Sequence, residues 1–319
     1  MKVFITVKIP EKGIHILRDR GYEVEIGSQK NNLSRKDLMR KAKGADAILC
    51  QLEDKINGEM LDAIGPQLKV ISNYAVGYDN IDLQEASRRN VAVTNTPGVL
   101  TQAVAEHAVA LVLSVARRIV EADEFIRSGK YRGFEPDLLV GMELKGKTLG
   151  IVGHGRIGCK VADIFQKGFG MRVLYYDIFR DMEAEQGCGI SYASLEDLLA
   201  KSDVVSLHVP LLPETKHLIG ERELSMMKPS AFLINTARGL VVDEKALVKI
   251  LKEGKIAGAA LDVFENEPKL ASGLSKLKNV VLTPHIASAT KEAREKMAEV
   301  AALNVIAVLE KEGTAFLVK

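Results

Sequence analysis

Thr148-Leu-Gly-Ile-Val152, running directly into Gly153-His-Gly-Arg-Ile-Gly158, then a helical pattern, a second apolar run Val173-Leu-Tyr-Tyr176 and finally Asp177, decides the fold of this chain. The order is strand, glycine turn, helix, strand, acid. Gly153 permits the tight turn, Gly155 lets the backbone approach a pyrophosphate, and Gly158 lets helix and strand pack closely, so phosphates would sit at the positive end of the helix dipole. A bare G-x-G-x-x-G carries little weight. With the right strand, helix and acid around it, the stretch reads as a dinucleotide site, with Gly153, Gly155, Arg156, Ile157 and Gly158 as cofactor residues. Asp177 falls where a ribose 2′-hydroxyl is held. A carboxylate there repels the 2′-phosphate of NADP and favours NAD (NADH), whereas nearby Arg180 pulls the other way.

The 319 residues predict two domains, and 47% hydrophobic with 27% charged residues describes a globular chain able to bury sizeable cores. The 44 Lys+Arg against 42 Asp+Glu leave a formal charge of +2 without blocks of one sign, which excludes an electrostatic footprint for nucleic acid or an anionic membrane. The start, Met1 to Lys8, turns polar too quickly for a signal peptide. No apolar run reaches the roughly 18 residues of a membrane span, so a cytoplasmic location is expected. Cys50, Cys159 and Cys188 are odd in number with no C-x-x-C pair, which predicts buried or inert thiols and neither a disulfide framework nor a metal site.

Apolar runs at Val3–Val7, Tyr22–Ile26, Ala47–Cys50, Leu68–Ser72 and Val91–Thr94 alternate with helical patterns, one of them opened by Ser34 as a cap, and predict a first doubly wound parallel α/β domain. Asn95-Thr-Pro97-Gly98 breaks that pattern as a hinge. One long helix is predicted from about 102 to 128, its apolar stripe serving either the domain core or a dimer contact. Six strands, near 148–152, 172–176, 203–207, 231–235, 257–261 and 279–283, complete the second domain, 99–288. The last helical pattern, about 291–310, has no strand left to pair with and is expected to cross back, giving a discontinuous first domain of 1–98 and 289–319 with an interdomain cleft able to close.

Polar residues recur just past the carboxyl ends of these strands, the edge at which open parallel sheets bind ligands. They are His208-Val209-Pro210, Asn235-Thr236-Ala237-Arg238-Gly239, Asp262-Val-Phe-Glu265-Asn-Glu267-Pro268 and Thr283-Pro-His285. A histidine after a proline is by itself more often an ordinary loop residue, but one sharing an edge with an Arg and a Glu is a catalytic candidate. Reduction of a carbonyl by a nicotinamide needs a hydride on carbon and a proton on oxygen, and the cofactor supplies only the hydride. His285 suits the proton, Glu267 would orient its ring and stabilise the imidazolium, and Arg238 can fork two N–H groups onto a substrate carboxylate. The implied substrate is a small 2-keto acid. The competing structural reading makes Arg238 and Glu267 a surface ion pair and His285 a loop residue.

The glycine turn, Asn235-Thr-Ala-Arg-Gly239, Asp262-Val-Phe-Glu-Asn-Glu-Pro268, Thr283-Pro-His-Ile-Ala-Ser288 and Ala75-Val-Gly-Tyr-Asp-Asn-Ile-Asp82 together resemble the signatures of the D-isomer-specific 2-hydroxyacid dehydrogenases, along essentially the whole chain. The resemblance implies a Rossmann coenzyme domain inserted into a flavodoxin-like substrate domain, with Arg238, Glu267 and His285 as the catalytic set. It places Asp262 at the nicotinamide carboxamide, and backbone groups of Val76 and Gly77 at the substrate carboxylate. It implies adenine-side contacts at Val209 and Pro210, a phosphate-side contact at Thr215, further cofactor contacts at Thr236 and Ala237, and a homodimer of coenzyme domains. His154 departs from the apolar or small residue usual in that turn.

Asn73 to Asn80, with Leu49 to Glu53, is most similar to glyoxylate/hydroxypyruvate reductases. Phosphoglycerate dehydrogenases carry basic residues in these loops, whereas Gln51, Leu52, Asn73 and Tyr74 are uncharged. Phosphoglycerate- and lactate-type enzymes stay open as alternatives. So does a binding role of the kind seen in NADH-sensing corepressors, although those add tails and docking surfaces, while this chain begins at its first strand and stops soon after its last helix.

Overall fold

The computed structural model describes residues 1–318. They fall into two compact units, one made of Met1–Leu100 with the segment from Ala289 onward, the other of Thr101–Ser288.

In the first unit the chain runs β1 (Lys2–Ile5), α1 (Glu11–Asp19), β2 (Glu23–Ile26), α2 (Arg35–Ala42), β3 (Ala47–Cys50), α3 (Gly58–Ile64), β4 (Val70–Asn73), α4 (Leu83–Arg88) and β5 (Ala92–Thr94). The sheet is wholly parallel in the order β2-β1-β3-β4-β5, the flavodoxin-like order. Short capped helices make the crossovers: Ser34 accepts from the Asp37 amide, Asn57 from that of Met60, and Asp82 from that of Glu85.

In the second unit α5 (Thr101–Ala116) and α6 (Ile119–Arg127) precede β6 (Thr148–Val152), α7 (Arg156–Phe169), β7 (Arg172–Tyr176), α8 (Met182–Cys188), β8 (Ser191–Tyr192), α9 (Leu195–Lys201), β9 (Val204–Leu207), α10 (Glu221–Met226), β10 (Phe232–Asn235), α11 (Glu244–Lys252), β11 (Gly258–Leu261) and β12 (Val280–Leu282). All strands are parallel, in the order β12-β11-β10-β9-β6-β7-β8. Along β10 the side chains alternate between two cores: Phe232 and Ile234 join Leu111, Val115 and Phe165 of α5 and α7, whereas Leu233 joins Leu198, Leu247 and Leu251 of α9 and α11. A sheet buried on both faces explains the unbroken apolar runs. Each large side chain so buried contributes roughly 1.5–3 kcal/mol.

α12 (Lys291–Glu310), capped by Thr290, returns to the first unit. It packs on α1 and on β3, β4 and β5. Where it meets α1, Gly13 approaches so closely that a Cβ would lie 2.6 Å from the Ala298 carbonyl oxygen. Ser72 Oγ donates to the Ala301 carbonyl at 2.9 Å, and Asn304 Nδ2 to that of Asn95 at 2.9 Å.

Three expectations are corrected. The single long helix is two, because Arg118 adopts φ 53° and the Ala116 carbonyl accepts from the Met142 amide at 2.8 Å instead of continuing the helix. Gly141 permits this approach, since a Cβ there would sit 2.4 Å from the Ala116 oxygen. The second sheet has a seventh strand, β8, whose two exposed residues carry no apolar run to betray them. Cys188 is exposed and Cys159 half-buried, so only Cys50 is fully buried, although partial burial also pushes the Cys159 thiol up. Among the described residues no helix is long and apolar enough to cross a membrane.

Candidate active site

Three loops at the carboxyl ends of β10, β11 and β12 bring Arg238, Glu267 and His285 onto one edge of the second unit. Asn235, buried at the end of β10, accepts from the Ala237 amide at 3.0 Å and donates to the Arg238 carbonyl at 2.9 Å, folding Thr236–Arg238 over the strand end. The Arg238 guanidinium donates to the Ala237 carbonyl at 2.8 Å. Gly239 then packs against the next loop, where a Cβ would come within 1.9 Å of the Phe264 carbonyl carbon. Only glycine lets the arginine loop lie this close to the carboxylate loop.

Glu267 accepts from the Phe264 amide through Oε1 at 2.9 Å and meets His285 Nδ1 through Oε2 at 2.9 Å. Burial opposes its charge, but the hydrogen bond and charge of His285, the Phe264 amide and the Arg238 guanidinium outweigh that and hold the carboxyl below its ordinary range. An ionised carboxylate therefore grips one ring nitrogen of His285 and directs Nε2 away from itself. The arrangement is one that can orient a proton donor beside a guanidinium.

His285 itself sits at φ 53°, a left-handed conformation unusual for a non-glycine residue. Asp262 holds it there. Its carbonyl accepts from the His285 amide at 2.9 Å, while its carboxylate accepts from the Ile286 and Ala287 amides at 2.9 and 2.8 Å and from the Thr283 hydroxyl at 2.6 Å. His107 of α5 completes the cluster, with Nε2 3.1 Å from Thr283 Oγ1 and 3.4 Å from Asp262 Oδ1. Burial works against the Asp262 charge, yet the bonds from His107, Thr283, Ile286 and Ala287 keep its pKa lowered. The side chain is wholly buried and engaged with the histidine loop. His107 escaped sequence reasoning because it sits in a helix read for its apolar stripe; a histidine interrupting that stripe was the available signal.

The glycine turn stands at the same edge. Gly153, at φ 96°, fits against the loop after β9, where a Cβ would be 2.7 Å from the His208 carbonyl carbon and 2.8 Å from the Val209 nitrogen; Pro210 follows. Gly158 backs onto the Gly153 oxygen, only 2.1 Å from where its Cβ would be. Gly155 is the N-cap of α7 and supplies no side-chain cap, so the first amides of the helix, including those of Arg156 and Ile157, depend on other acceptors. A Cβ on Gly155 would meet nothing, which is the cradle an approaching pyrophosphate requires. Thr236 Oγ1 is buried without a hydrogen-bond partner at this edge. The residues fit a dinucleotide.

Asp177 follows β7 and accepts from the His154 amide at 2.7 Å, which sets the acid against the turn. Arg180 is paired with Glu185 through two 2.7 Å bonds and lies over the Tyr192 ring. Thr215 uses its hydroxyl locally, donating to the Pro210 carbonyl at 2.6 Å and accepting from the Leu212 amide at 2.8 Å.

Val76 and Gly77 belong to the first unit, in the loop after β4. Asn95 Nδ2 donates to the Val76 carbonyl and Asn73 Nδ2 to that of Gly77, each at 2.7 Å. Asn73 and Tyr74 are buried, and Arg294, a cation the sequence reading did not connect with this loop, lies 6.0 Å over the Tyr74 ring.

The family model for the D-isomer specific 2-hydroxyacid dehydrogenase NAD binding domain matches residues 109–287. A glyoxylate reductase of Thermococcus litoralis is 55% identical over 315 residues, covering 98% of this chain and 94% of that protein. Among solved structures, the TT0316 protein of Thermus thermophilus superposes with a TM-score of 0.93 at 44% identity, covering all of both chains. An NADPH-dependent glyoxylate/hydroxypyruvate reductase of Sinorhizobium meliloti, in complex with NADP and malonate, gives 0.86 at 31% identity over 99% of this chain and 96% of that one. This chain is an oxidoreductase and belongs to the D-isomer-specific 2-hydroxyacid dehydrogenase family.

Proposed function

We propose that the protein reduces a small 2-keto acid, glyoxylate or hydroxypyruvate, with NADH, and that His285 delivers the proton to the substrate oxygen. The observation that carries this reading is the 2.9 Å pair of His285 Nδ1 and Glu267 Oε2 beside Arg238, in the same unit as the glycine turn. The nicotinamide supplies the hydride when bound. Arg238 binds the substrate carboxylate, Glu267 fixes the ring and stabilises the imidazolium, and Asp262 holds the His285 loop in place. Val76 and Gly77 keep the substrate-carboxylate role that the family resemblance implies.

Gly153, Gly155, Arg156, Ile157, Gly158, Thr236 and Ala237 would hold the cofactor, with Val209, Pro210 and Thr215 toward its adenine and phosphate side. Preference for NADH is supported by the Asp177 carboxylate and by Arg180 being engaged with Glu185. The substrate choice is supported by the glyoxylate reductases at 50% identity or above. A homodimer through the second unit is supported by apolar exposure around α6: Ile119, Val120, Ile126, Tyr131 and Val140 are exposed, and Phe134 is 89% exposed.

The test is initial-rate oxidation of NADH and NADPH with glyoxylate, hydroxypyruvate, pyruvate and 3-phosphohydroxypyruvate at equal concentrations. Highest rates with NADH and either of the first two acids are expected. Preference for the phosphorylated acid would overturn the substrate assignment and point to a cation such as Arg294.

A further inference from the structure

We propose that His154 Nδ1, Cys159 Sγ and Asp181 Oδ2 form a site for one zinc-class divalent cation beside the glycine turn. The three atoms lie within 4.8 Å of one another. Nδ1 is 3.4 Å from Oδ2 and 3.5 Å from Sγ. With zinc bonds of about 2.0–2.1 Å to N and O and about 2.3 Å to S, the edges of a tetrahedron come to about 3.4 Å for N···O and about 3.6 Å for N···S. Both short contacts already have the spacing of ligands around one ion.

In the metal-free protein the Cys159 thiol also reaches the His154 carbonyl at 3.3 Å and can donate to it, while a protonated Nδ1 can donate to Asp181. A cation would replace these bonds with direct ligation of all three atoms. The donor set, one imidazole, one thiol and one carboxylate, suits zinc better than magnesium or calcium, which favour oxygen alone.

The ligands are held in place by contacts outside the cluster. The His154 side chain is only 3% exposed, and its ring lies on Tyr175 at 4.5 Å between centroids. Asp181 Oδ1 accepts from the Ala184 amide at 2.9 Å as the cap of α8, leaving Oδ2 for the ion. The Asp181 side chain is 40% exposed, which gives an entry path and leaves the fourth position to water. Loading breaks the Cys159 S–H bond, releases that proton to solvent and forms the sulfur–metal bond.

Sequence spacing concealed the site, because the ligands come from the turn, the first turn of α7 and the cap of α8, with no C-x-x-C pair. A bound ion would tie the glycine turn to the segment between β7 and α8, where Ile178 and Phe179 are exposed. The inference goes beyond the proposed reductase activity and its readout needs no turnover.

Untagged, metal-stripped protein titrated with Co²⁺ should bind one equivalent with a thiolate-to-cobalt charge-transfer band that Zn²⁺ displaces. Cys159→Ser should abolish the band and weaken zinc binding by about 100-fold or more, since even indirect partners of a metal ligand are worth about 10–100-fold. Asp181→Asn, which keeps the cap oxygen, should weaken binding with the band retained. Cys188→Ser should leave the titration unchanged. Absence of the band in the wild-type protein overturns the proposal whether or not the variants fold, as does its persistence in Cys159→Ser.

Discussion

Replacing Glu267 with Gln preserves shape and leaves an oxygen for the Phe264 amide, but it removes the charge that faces His285 Nδ1 at 2.9 Å. The amide nitrogen now in that place can donate only to an unprotonated Nδ1, so it opposes the imidazolium that the carboxylate favoured. A hydrogen bond to a charged group is worth about 1.5–3 kcal/mol and a neutral one about 0.5–1.5 kcal/mol, a difference of roughly 1–1.5 kcal/mol. At about 1.4 kcal/mol per tenfold, that is roughly a tenfold loss of turnover. The bare Coulomb energy at this distance, about 6 kcal/mol at an effective dielectric constant of 20, is an upper bound. The side chains are 30% and 26% exposed, and water screens much of it. The sign follows from the proton's role. Reduction needs a proton on a ring held in one orientation, which the carboxylate secures and the amide does not, so turnover falls in Glu267→Gln. The assay is saturating initial-rate NADH oxidation at one fixed pH, with circular dichroism to confirm folding. A folded variant with wild-type turnover would remove Glu267 from the mechanism.

His285→Ala should lower kcat by about 10²–10⁴-fold while NADH binding, followed by fluorescence, stays near wild type; near-normal turnover contradicts the proton-donor role. Asp177→Ala should narrow the ratio of kcat/KM for NADH over NADPH, and an unchanged ratio would place discrimination elsewhere. Asp262→Ala strands the Ile286 and Ala287 amides and the Thr283 hydroxyl, and should cost about 3–5 kcal/mol in urea unfolding. Because the native carboxyls of Asp262 and Glu267 are held below their unfolded values of about 3.9 and 4.3, their contribution is present above those values and lost as pH falls through the native ones. Acid unfolding of Asp262→Ala should therefore depend less steeply on pH than that of wild type. Phe134→Asp should yield monomers by light scattering if the face around α6 joins two copies; a monomeric wild type would refute that reading.

The strands buried on both faces were legible because they are nearly uninterrupted apolar runs, and the glycine turn because Gly153, Gly155 and Gly158 each answer a separate steric demand. β8 was not legible: two exposed residues at a sheet edge leave no pattern. The break between α5 and α6 was hidden for a different reason, since it is enforced by Gly141 and Met142, more than twenty residues further along. Arg238, Glu267 and His285 could be chosen as candidates from their positions after strands. The support beneath them could not, because the Asp262 cluster joins α5 to the loop after β12, and no local signal couples His107 to Thr283.

The return of α12 to the first unit sets the order in which a growing chain can mature. Residues 1–100 precede the second unit, and although α2, α3 and α4 cover one face of their sheet, α1 and the other face of β3, β4 and β5 wait for residues 291–310, a separation that spans the whole second unit. The second unit, contiguous in sequence, closes its sheet with β12 before α12 has been synthesised. Contacts so distant form slowly because a long loop must close first. The face of the first sheet that α12 covers therefore stays open until the second unit has been made.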